Sequence, residues 1–347
     1  MSRRLRVGVV GASFGGLVHV PAYRAQGRFD VVAIASPNSA AEIARERDIP
    51  EAFTSIEAML DGVGLDVVSV ASPPFGHRRS VLLALRRGMH VLCEKPFGLN
   101  VAECEAMLEA SEAAGTICAI AHEFRYTPSR IAMRELIHNN HLGPLREIES
   151  TVLTGSLRRD ADRKNSWWFE RRCGGGITGA ILSHLVDQTN WLAGRAPHRG
   201  AGFERTANSV RRHGGETFTS DVADGAFVLL DYGEGLVGRA LADGTRAVES
   251  ATLAVHGETR AAAASGPNIA EATMFAIDAE ETSELSLRPP KHAQFASLHP
   301  NVPPFVSLLD EFANAIDGKP ADLPTFAEGL ATQRVLEAIG YSTASID

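Results

Sequence analysis

The residues of this chain whose types and spacing can do chemistry fall into a few groups. The first is Gly11-Ala12-Ser13-Phe14-Gly15-Gly16. Between a strand and a helix, such a run makes a tight turn at its first glycine. It brings the backbone close to a diphosphate and packs the helix on the strand at its last glycine. Ser13 stands where the usual second glycine would be, so an ordinary strand–helix turn is the alternative. The second group is His90-Val91-Leu92-Cys93-Glu94-Lys95-Pro96, reached through Ser72-Pro73-Pro74 and His77. A lysine at the carboxyl end of a parallel strand stands where open α/β sheets bind ligands. Beside a cationic nicotinamide, and partly buried, its amine is favoured in the neutral form and can act as acid or base. A solvated surface lysine explains the same residues equally well.

Two further pairs carry groups that could do chemistry. His184 and Asp187 are three apart on one helix face, so the carboxylate can orient the imidazole; a histidine satisfied at a domain interface is the alternative. His122 and Arg125 follow a strand and could face a ligand or pack a hinge. At the end of the second strand a dinucleotide fold places Asp or Glu on the ribose 2′-hydroxyl, and this chain has Ser36-Pro37-Asn38-Ser39. No carboxylate there repels a 2′-phosphate, although no arginine is adjacent and the same residues can simply cap a helix. Trp167-Trp168-Phe169 could stack on a sugar ring or form core. Around them six cations, Arg158, Arg159, Arg163, Lys164, Arg171 and Arg172, outnumber Asp160, Asp162 and Glu170. That surplus could attract an acidic substrate such as a uronate, or mark a solvated loop.

The elements that must position these residues read as two kinds. Leu5–Val10, Val31–Ala35, Val67–Ala71, His90–Cys93 and Thr116–Ala121 are apolar at nearly every position, as in a parallel sheet covered on both faces. Helical patterns alternate with them at Ser39–Arg47, Ile56–Leu60, His77–Arg87 and Val101–Ala114, the last ended by Gly115. Strand, helix, strand at this spacing predicts right-handed βαβ units in a doubly wound sheet. After Ala121 the rhythm changes to a helix near Ser129–His138, a stretch at Leu145–Leu153, a glycine run at Gly174–Gly176 and a helix to about Leu192. Strand-like stretches follow at Ala226–Tyr232, Leu236–Ala242 and Ala251–His256, then helices at Phe305–Ile316 and Phe326–Ala338. Ala261–Pro267 and Leu287–Pro304 read as loops. The second part is therefore expected to be α+β with a mostly antiparallel sheet.

At 347 residues the chain has room for about two domains. Its composition, 44% hydrophobic and 22% charged, excludes collagen-like, disordered and disulfide-scaffold classes. The net charge of −8 has the wrong sign for a partner of nucleic acid. Cys93, Cys104, Cys118 and Cys173 show no C-x-x-C spacing, so no metal site and no disulfide framework are expected, and a reducing, cytoplasmic setting fits. Arg3, Arg4 and Arg6 before the uncharged stretch Val7–Tyr23 imitate a signal peptide, but Gly8, Gly11, Gly15 and Gly16 fit a buried strand and glycine turn better. No membrane partner is expected.

Taken together, Gly11–Gly16, Pro73-Pro74 with His77, Glu94-Lys95-Pro96, His122-x-x-Arg125 and the glycine cluster before His184-x-x-Asp187 resemble the Gfo/Idh/MocA oxidoreductases over nearly the whole chain. The resemblance implies an N-terminal Rossmann domain, residues 1–123, with a doubly wound parallel sheet. It implies a C-terminal domain, residues 124–347, for substrate binding and oligomerisation, with an open sheet. It also implies oxidation or reduction of a sugar, cyclitol or related polyol with NAD or NADP, the residues at Ser36 leaning to NADP, by a homo-oligomer, dimer or tetramer. Lys95 is implied in proton transfer at the reacting oxygen and His184 beside the substrate. Gly11, Ser13, Phe14, Gly15, Gly16, Ser36, Asn38, Ser72, Pro73, His77, Glu94 and Lys95 are the expected cofactor residues. Lys95, His122, Arg125, Trp167, His184 and Asp187 are the expected substrate residues.

The chain departs from the family pattern at Ala180, where many members carry an Asp, and at Leu182, where a glycine is usual. Either Lys95 and His184 suffice, or Asp187 compensates, or catalysis is lost. A nicotinamide-dependent glycosidase of the same fold and a non-catalytic dinucleotide-binding regulator are the alternatives.

Overall fold

The protein, seen in a computed structural model, is described over residues 3–341. The first strand, β1 (Leu5–Val10), buries Val7, Val9 and Val10. A π-helical turn, Gly15–His19, runs into α1 (Val20–Gln26), which ends on Gly27 at φ 82°. There follow β2 (Phe29–Ala35), α2 (Ala40–Glu46), β3 (Glu51–Phe53), α3 (Ile56–Gly62) and β4 (Val67–Val70). The series closes with α4 (His77–Leu85), β5 (His90–Cys93), α5 (Val101–Ala114) and β6 (Cys118–Ile120). Side-chain caps start two of the helices: Ser55 accepts from the Ala58 amide, and Asn100 from the Glu103 amide. The strands are all parallel in the order β3-β2-β1-β4-β5-β6. That order reverses between β1 and β4, so their carboxyl ends open a crevice. Gly11 follows β1, Ser72 follows β4 and Lys95 follows β5.

The second group of elements opens with α6 (Pro128–His138) and β7 (Leu145–Leu153). Short 3₁₀ turns and a π-helical turn, Thr178–Leu182, lead into α7 (Ser183–Ala193). The strands β8 (Arg199–Arg205), β9 (Val210–His213), β10 (Glu216–Thr219), β11 (Gly225–Asp231) and β12 (Val237–Asp243) come next. They are followed by β13 (Ser250–Gly257), β14 (Ala261–Gly266), β15 (Thr273–Ile277) and β16 (Thr282–Leu285). Eight of these form one sheet in the order β16-β15-β14-β13-β7-β12-β11-β8, antiparallel except where β12 pairs with β7, while β9 and β10 form a hairpin of their own. Alternation along the strands buries one face and leaves the other open, with Phe203, Leu229 and Val237 exposed on it. Ala261–Gly266, read from the sequence as loop, is β14: an alanine run carries no β-branched signal, and pairing to β13 and β15 makes it a strand.

The chain closes with α8 (Val302–Ile316) and α9 (Phe326–Ala338). The apolar face of α8, with Val302, Phe305, Leu309 and Phe312, packs on Val18, Val20, Tyr23 and Phe29 beside the parallel sheet. Among the described residues the compact units are therefore not two successive segments: those up to 126 with 290–330 form one, and 127–289 with those from 331 form the other. A helix with such a continuous apolar stripe goes where apolar surface is left uncovered, whatever its place in the chain.

Candidate functional site

In the first unit the glycine turn is shaped by close approach. Gly11 has φ 104°, and a Cβ there would lie 2.3 Å from the Ala71 carbonyl oxygen, so only glycine lets β1 and β4 end side by side. A Cβ on Gly15 would meet Val9 at 2.8 Å, and one on Gly16 would meet Ile43 at 2.8 Å. These two glycines serve helix packing. Ser13 is exposed at the turn, and Phe14 is half-buried with its ring edge toward His19 and His299. Ser36 Oγ lies 3.1 Å from Ser39 Oγ, and Asn38 is exposed. Ser72 Oγ is buried with no hydrogen-bond partner, an unspent polar atom at the crevice, and Pro73 is half-buried beside it. A glycine cradle that admits no Cβ, exposed polar groups and an unspent hydroxyl fit a bound dinucleotide.

Lys95 is half-buried at the end of β5. Behind it Glu94 is buried, with Oε1 3.0 Å from His19 Nε2 and Oε2 accepting from the Lys95 amide at 3.3 Å. His19 Nδ1 in turn meets Ser69 Oγ at 2.8 Å. Burial pushes the Glu94 carboxyl up, but the His19 hydrogen bond and the Lys95 charge outweigh it and hold the group below the usual range. His77 is fully buried between carbonyls: Nε2 faces Ser72 O at 2.8 Å and Nδ1 faces Pro96 O at 3.1 Å. It ties the loop after β4 to the loop after Lys95, and burial lowers its pKa. His77 therefore shapes the crevice wall from behind.

The 3₁₀ turn Glu123–Tyr126 follows β6. His122 is buried, and burial with the Arg125 and Lys95 charges holds its pKa well below the ordinary value, so it stands as a neutral imidazole. Arg125 is buried and paired with Glu328 of α9 at 2.9 Å. Glu123, between them, was not among the sequence-expected residues. It is buried, Oε1 accepts from Asn301 Nδ2 at 3.4 Å, and burial together with the Glu94 charge pushes it up to about 8. His19 was likewise missed; its position one turn past Gly15 and Gly16 was the only signal, and an isolated histidine carries little.

In the second unit the helical stretch 178–193 carries His184 and Asp187, both buried on α7. The rotation of α7 is pinned one residue further on. Arg130 Nε donates to Gln188 Oε1 at 2.9 Å, and Gln188 Nε2 donates to Ser150 Oγ of β7 at 2.9 Å. Tyr232 donates to Asn190 Oδ1 at 2.8 Å. Ala180 is half-buried on the π-helical turn, and Leu182 is fully buried. Before it, Gly175 admits no Cβ because Trp168 O would lie 2.2 Å away. Trp168 and Phe169 are engaged within this unit, with Arg163 stacked 4.4 Å over Trp168 and Phe218 against Phe169; Trp167 is exposed. Several cations of the loop are paired, Arg158 with Asp160, Arg172 with Glu170 and Arg171 with Glu204, which weakens its field. Among the described residues no cluster of His, Cys, Asp and Glu is placed to hold a metal ion.

Residues 5–122 match the oxidoreductase family model for the NAD-binding Rossmann fold, and residues 134–345 match the model for its C-terminal alpha/beta domain. The chain belongs to the Gfo/Idh/MocA oxidoreductase family. An uncharacterized oxidoreductase of Synechocystis is 34% identical over a region covering 56% of this chain and 53% of that protein. Levoglucosan dehydrogenase of Pseudarthrobacter phenanthrenivorans is 26% identical, covering 68% of this chain and 66% of that protein. The matches thus span between half and two thirds of these curated relatives. A solved oxidoreductase domain protein from Kribbella flavida superposes with a TM-score of 0.84 at 25% identity, over 97% of this chain and 96% of that one. Levoglucosan dehydrogenase in complex with NADH and levoglucosan superposes equally well, at 22% identity over the same shares of the two chains, a likeness of fold. In this Gfo/Idh/MocA chain the glycine cradle and Lys95 occupy the carboxyl ends of β1 and β5, the edge where such a sheet binds its ligand.

Proposed function

We propose that the protein is an NAD(P)-dependent oxidoreductase acting on the CH–OH group of a sugar, cyclitol or related polyol, or on the matching ketone. The observation that carries this reading is Lys95, half-buried at the carboxyl end of β5, on the sheet edge that also holds the Gly11 cradle and the unspent Ser72 hydroxyl. The backbone around Gly11, Ser13 and Gly15 and the side chains of Ser36, Asn38 and Ser72 would hold the dinucleotide, with Phe14 and Pro73 as apolar walls. When bound, its nicotinamide accepts or supplies hydride at the substrate carbon. Lys95 Nζ takes the hydroxyl proton in oxidation and returns it in reduction. His184, with Asp187 to orient it, is the second unit's acid/base or hydrogen-bond group, and Trp167 its exposed aromatic.

Levoglucosan dehydrogenase and a 1,5-anhydro-D-fructose reductase among the relatives support a carbohydrate-like substrate. A relative named for NADP(+), a scyllo-inositol 2-dehydrogenase, and Ser36 in place of a carboxylate support the lean to NADP. The open sheet face supports a homo-oligomer. Arg239 is paired with Glu147 and Glu149, and Arg199 with Asp231, so the charges on this face are compensated within it. The eight strands hold 53 residues, and at about 4.8 Å between strands and about 3.3 Å per residue they give a face of roughly 800 Å², matching the ~800 Å² per partner of a standard interface. Four free cysteines support a reducing, cytoplasmic compartment, and no helix among the described residues is long and apolar enough to cross a membrane. The test is a screen of sugars, uronates and cyclitols with NAD and NADP, read by nucleotide reduction. Accumulation of reduced nucleotide is expected. Binding of nucleotide with no turnover on any member would favour a regulator, and bond cleavage without net reduction a glycosidase.

A further inference from the structure

The parallel sheet places β4 between β1 and β5, and one side chain spans all three. His19 ends the π-helical turn that starts at Gly15, after β1, and its ring is fully buried. Nδ1 lies 2.8 Å from Ser69 Oγ of β4, and Nε2 lies 3.0 Å from Glu94 Oε1, just past the end of β5. Phe14 and Phe305 flank the ring, with centroids 5.7 and 4.4 Å away. The Glu94 carboxyl is held below its usual range, so it is ionised; a carboxylate only accepts, and Nε2 therefore donates to it. Glu94 Oε2 accepts from the Lys95 amide at 3.3 Å. One peptide, about 3.8 Å from Cα to Cα, separates Glu94 from Lys95. The imidazole thus joins the turn of the glycine cradle to the backbone of Lys95 through a single carboxylate. Packing alone does not ask for this arrangement. Well-packed apolar side chains often match or better a buried ionic group in stability, and Val9, Val70 and Leu92 already supply apolar packing to these strands. What the hydrogen-bonded pair adds is direction.

We propose that His19 is a positioning residue for Lys95, holding the strand end that carries the lysine at a fixed offset from the glycine turn where the dinucleotide would bind. The role rests on the proposed function, in which Lys95 must meet a substrate hydroxyl beside the nicotinamide. Such a reaction depends on placement, and an error of about 1 Å costs about 10²-fold in rate. Lys95 sits on a loop that leaves the sheet, where the ladder of β5 no longer holds it. His19 supplies the missing hold from the opposite side of the crevice, and Ser69 fixes the plane of its ring from the strand between. Sealed from water, His19 moves no proton in the reaction; it acts through Glu94.

The test compares His19→Asn with His19→Gln. The asparagine amide ends where Nδ1 stands and can still meet Ser69, whereas the glutamine amide ends where Nε2 stands and can still donate to Glu94. Amide hydrogen exchange of the whole protein, read by mass spectrometry, needs no substrate, so this arm stands if the screen finds no turnover and the proposed function fails. In His19→Asn exchange should quicken about fivefold in segments 15–19 and 94–98 and not elsewhere, and in His19→Gln it should return to the wild-type rate. Unchanged exchange, a change spread over the whole chain, or a glutamine variant no better than the asparagine one overturns the proposal. If His19→Asn does not fold, Glu94→Gln, which removes the charge and keeps the volume, should quicken the same segments, and unchanged exchange there overturns the proposal equally. With a substrate in hand, His19→Asn should lower kcat by about tenfold or more while the KM for nucleotide stays within about threefold, and His19→Gln should recover most of the loss. Wild-type kcat in His19→Asn, or a raised KM with kcat kept, also overturns it.

Discussion

Lys95 is the residue on which the proposed chemistry turns. Its replacement by alanine should lower turnover by about 10²–10⁴-fold while nucleotide binding changes little, since a positioned acid or base supplies that much of the rate; wild-type turnover in the variant would remove Lys95 from proton transfer. The carboxyl of Glu123 also leaves a mark on stability. From the ordinary carboxylate range up to about 8 the folded chain holds a proton that the unfolded chain lacks, so stability falls as pH rises through that window and levels off above it. His77 and His122, lowered by burial, titrate away from charge only below their usual value near 6.5. Between pH 7 and 8 the wild type should therefore lose about 1 kcal/mol of unfolding free energy through Glu123. In urea titrations Glu123→Gln should show no such loss. At the ribose, titration with both nucleotides decides the lean of Ser36: NAD binding at least tenfold tighter than NADP would reverse it.

At the scale of elements, what counts is how strands and helices hold these side chains still. The Gly11 turn exists because β1 and β4 end in contact, with no space for a Cβ and a backbone angle that L-residues rarely adopt. Gly11→Ala should cost about 1–3 kcal/mol from backbone strain alone and weaken nucleotide binding, measured by denaturation and by fluorescence titration of NADH. Binding and stability equal to wild type would mean that the turn relaxes freely. In the second unit α7 is held by the chain from Arg130 through Gln188 to Ser150, next to the proposed His184 and Asp187. The paired variants His184→Asn and Asp187→Asn assign these two. A larger loss of turnover in His184→Asn is expected, whereas a larger loss in Asp187→Asn would make the aspartate the carboxylate that Ala180 does not supply.

For the whole molecule the open face of the eight-stranded sheet is the feature left to explain. Phe203 and Leu229 are 59% and 64% exposed there, with Val237 at 47% on the same face. If a second copy covers this face, Phe203→Glu with Leu229→Glu should shift the protein from oligomer to monomer in sedimentation velocity at micromolar concentration, with the fold kept. An unchanged sedimentation coefficient would place the interface elsewhere.

The sequence by itself determined the parallel sheet and its ligand-binding edge, because strands buried on both faces read as unbroken apolar runs and each glycine or Lys-Pro that follows one must lie at its carboxyl end. It determined the family through the spacing of Gly11–Gly16, Glu94-Lys95-Pro96 and His184-x-x-Asp187. The tertiary structure decided what no local pattern encodes. The alanines of β14 became a strand only through their neighbours, and α8 joined the first unit because the uncovered apolar surface lay there. His77, expected from the resemblance among the cofactor residues, lies enclosed by carbonyls, while Glu123 and His19, unremarkable as letters, gained their meaning from burial beside Glu94 and Lys95. Periodicity reports which side of an element faces the core; a titratable group's character depends on the charges and water around it, and those are set by residues distant in the chain.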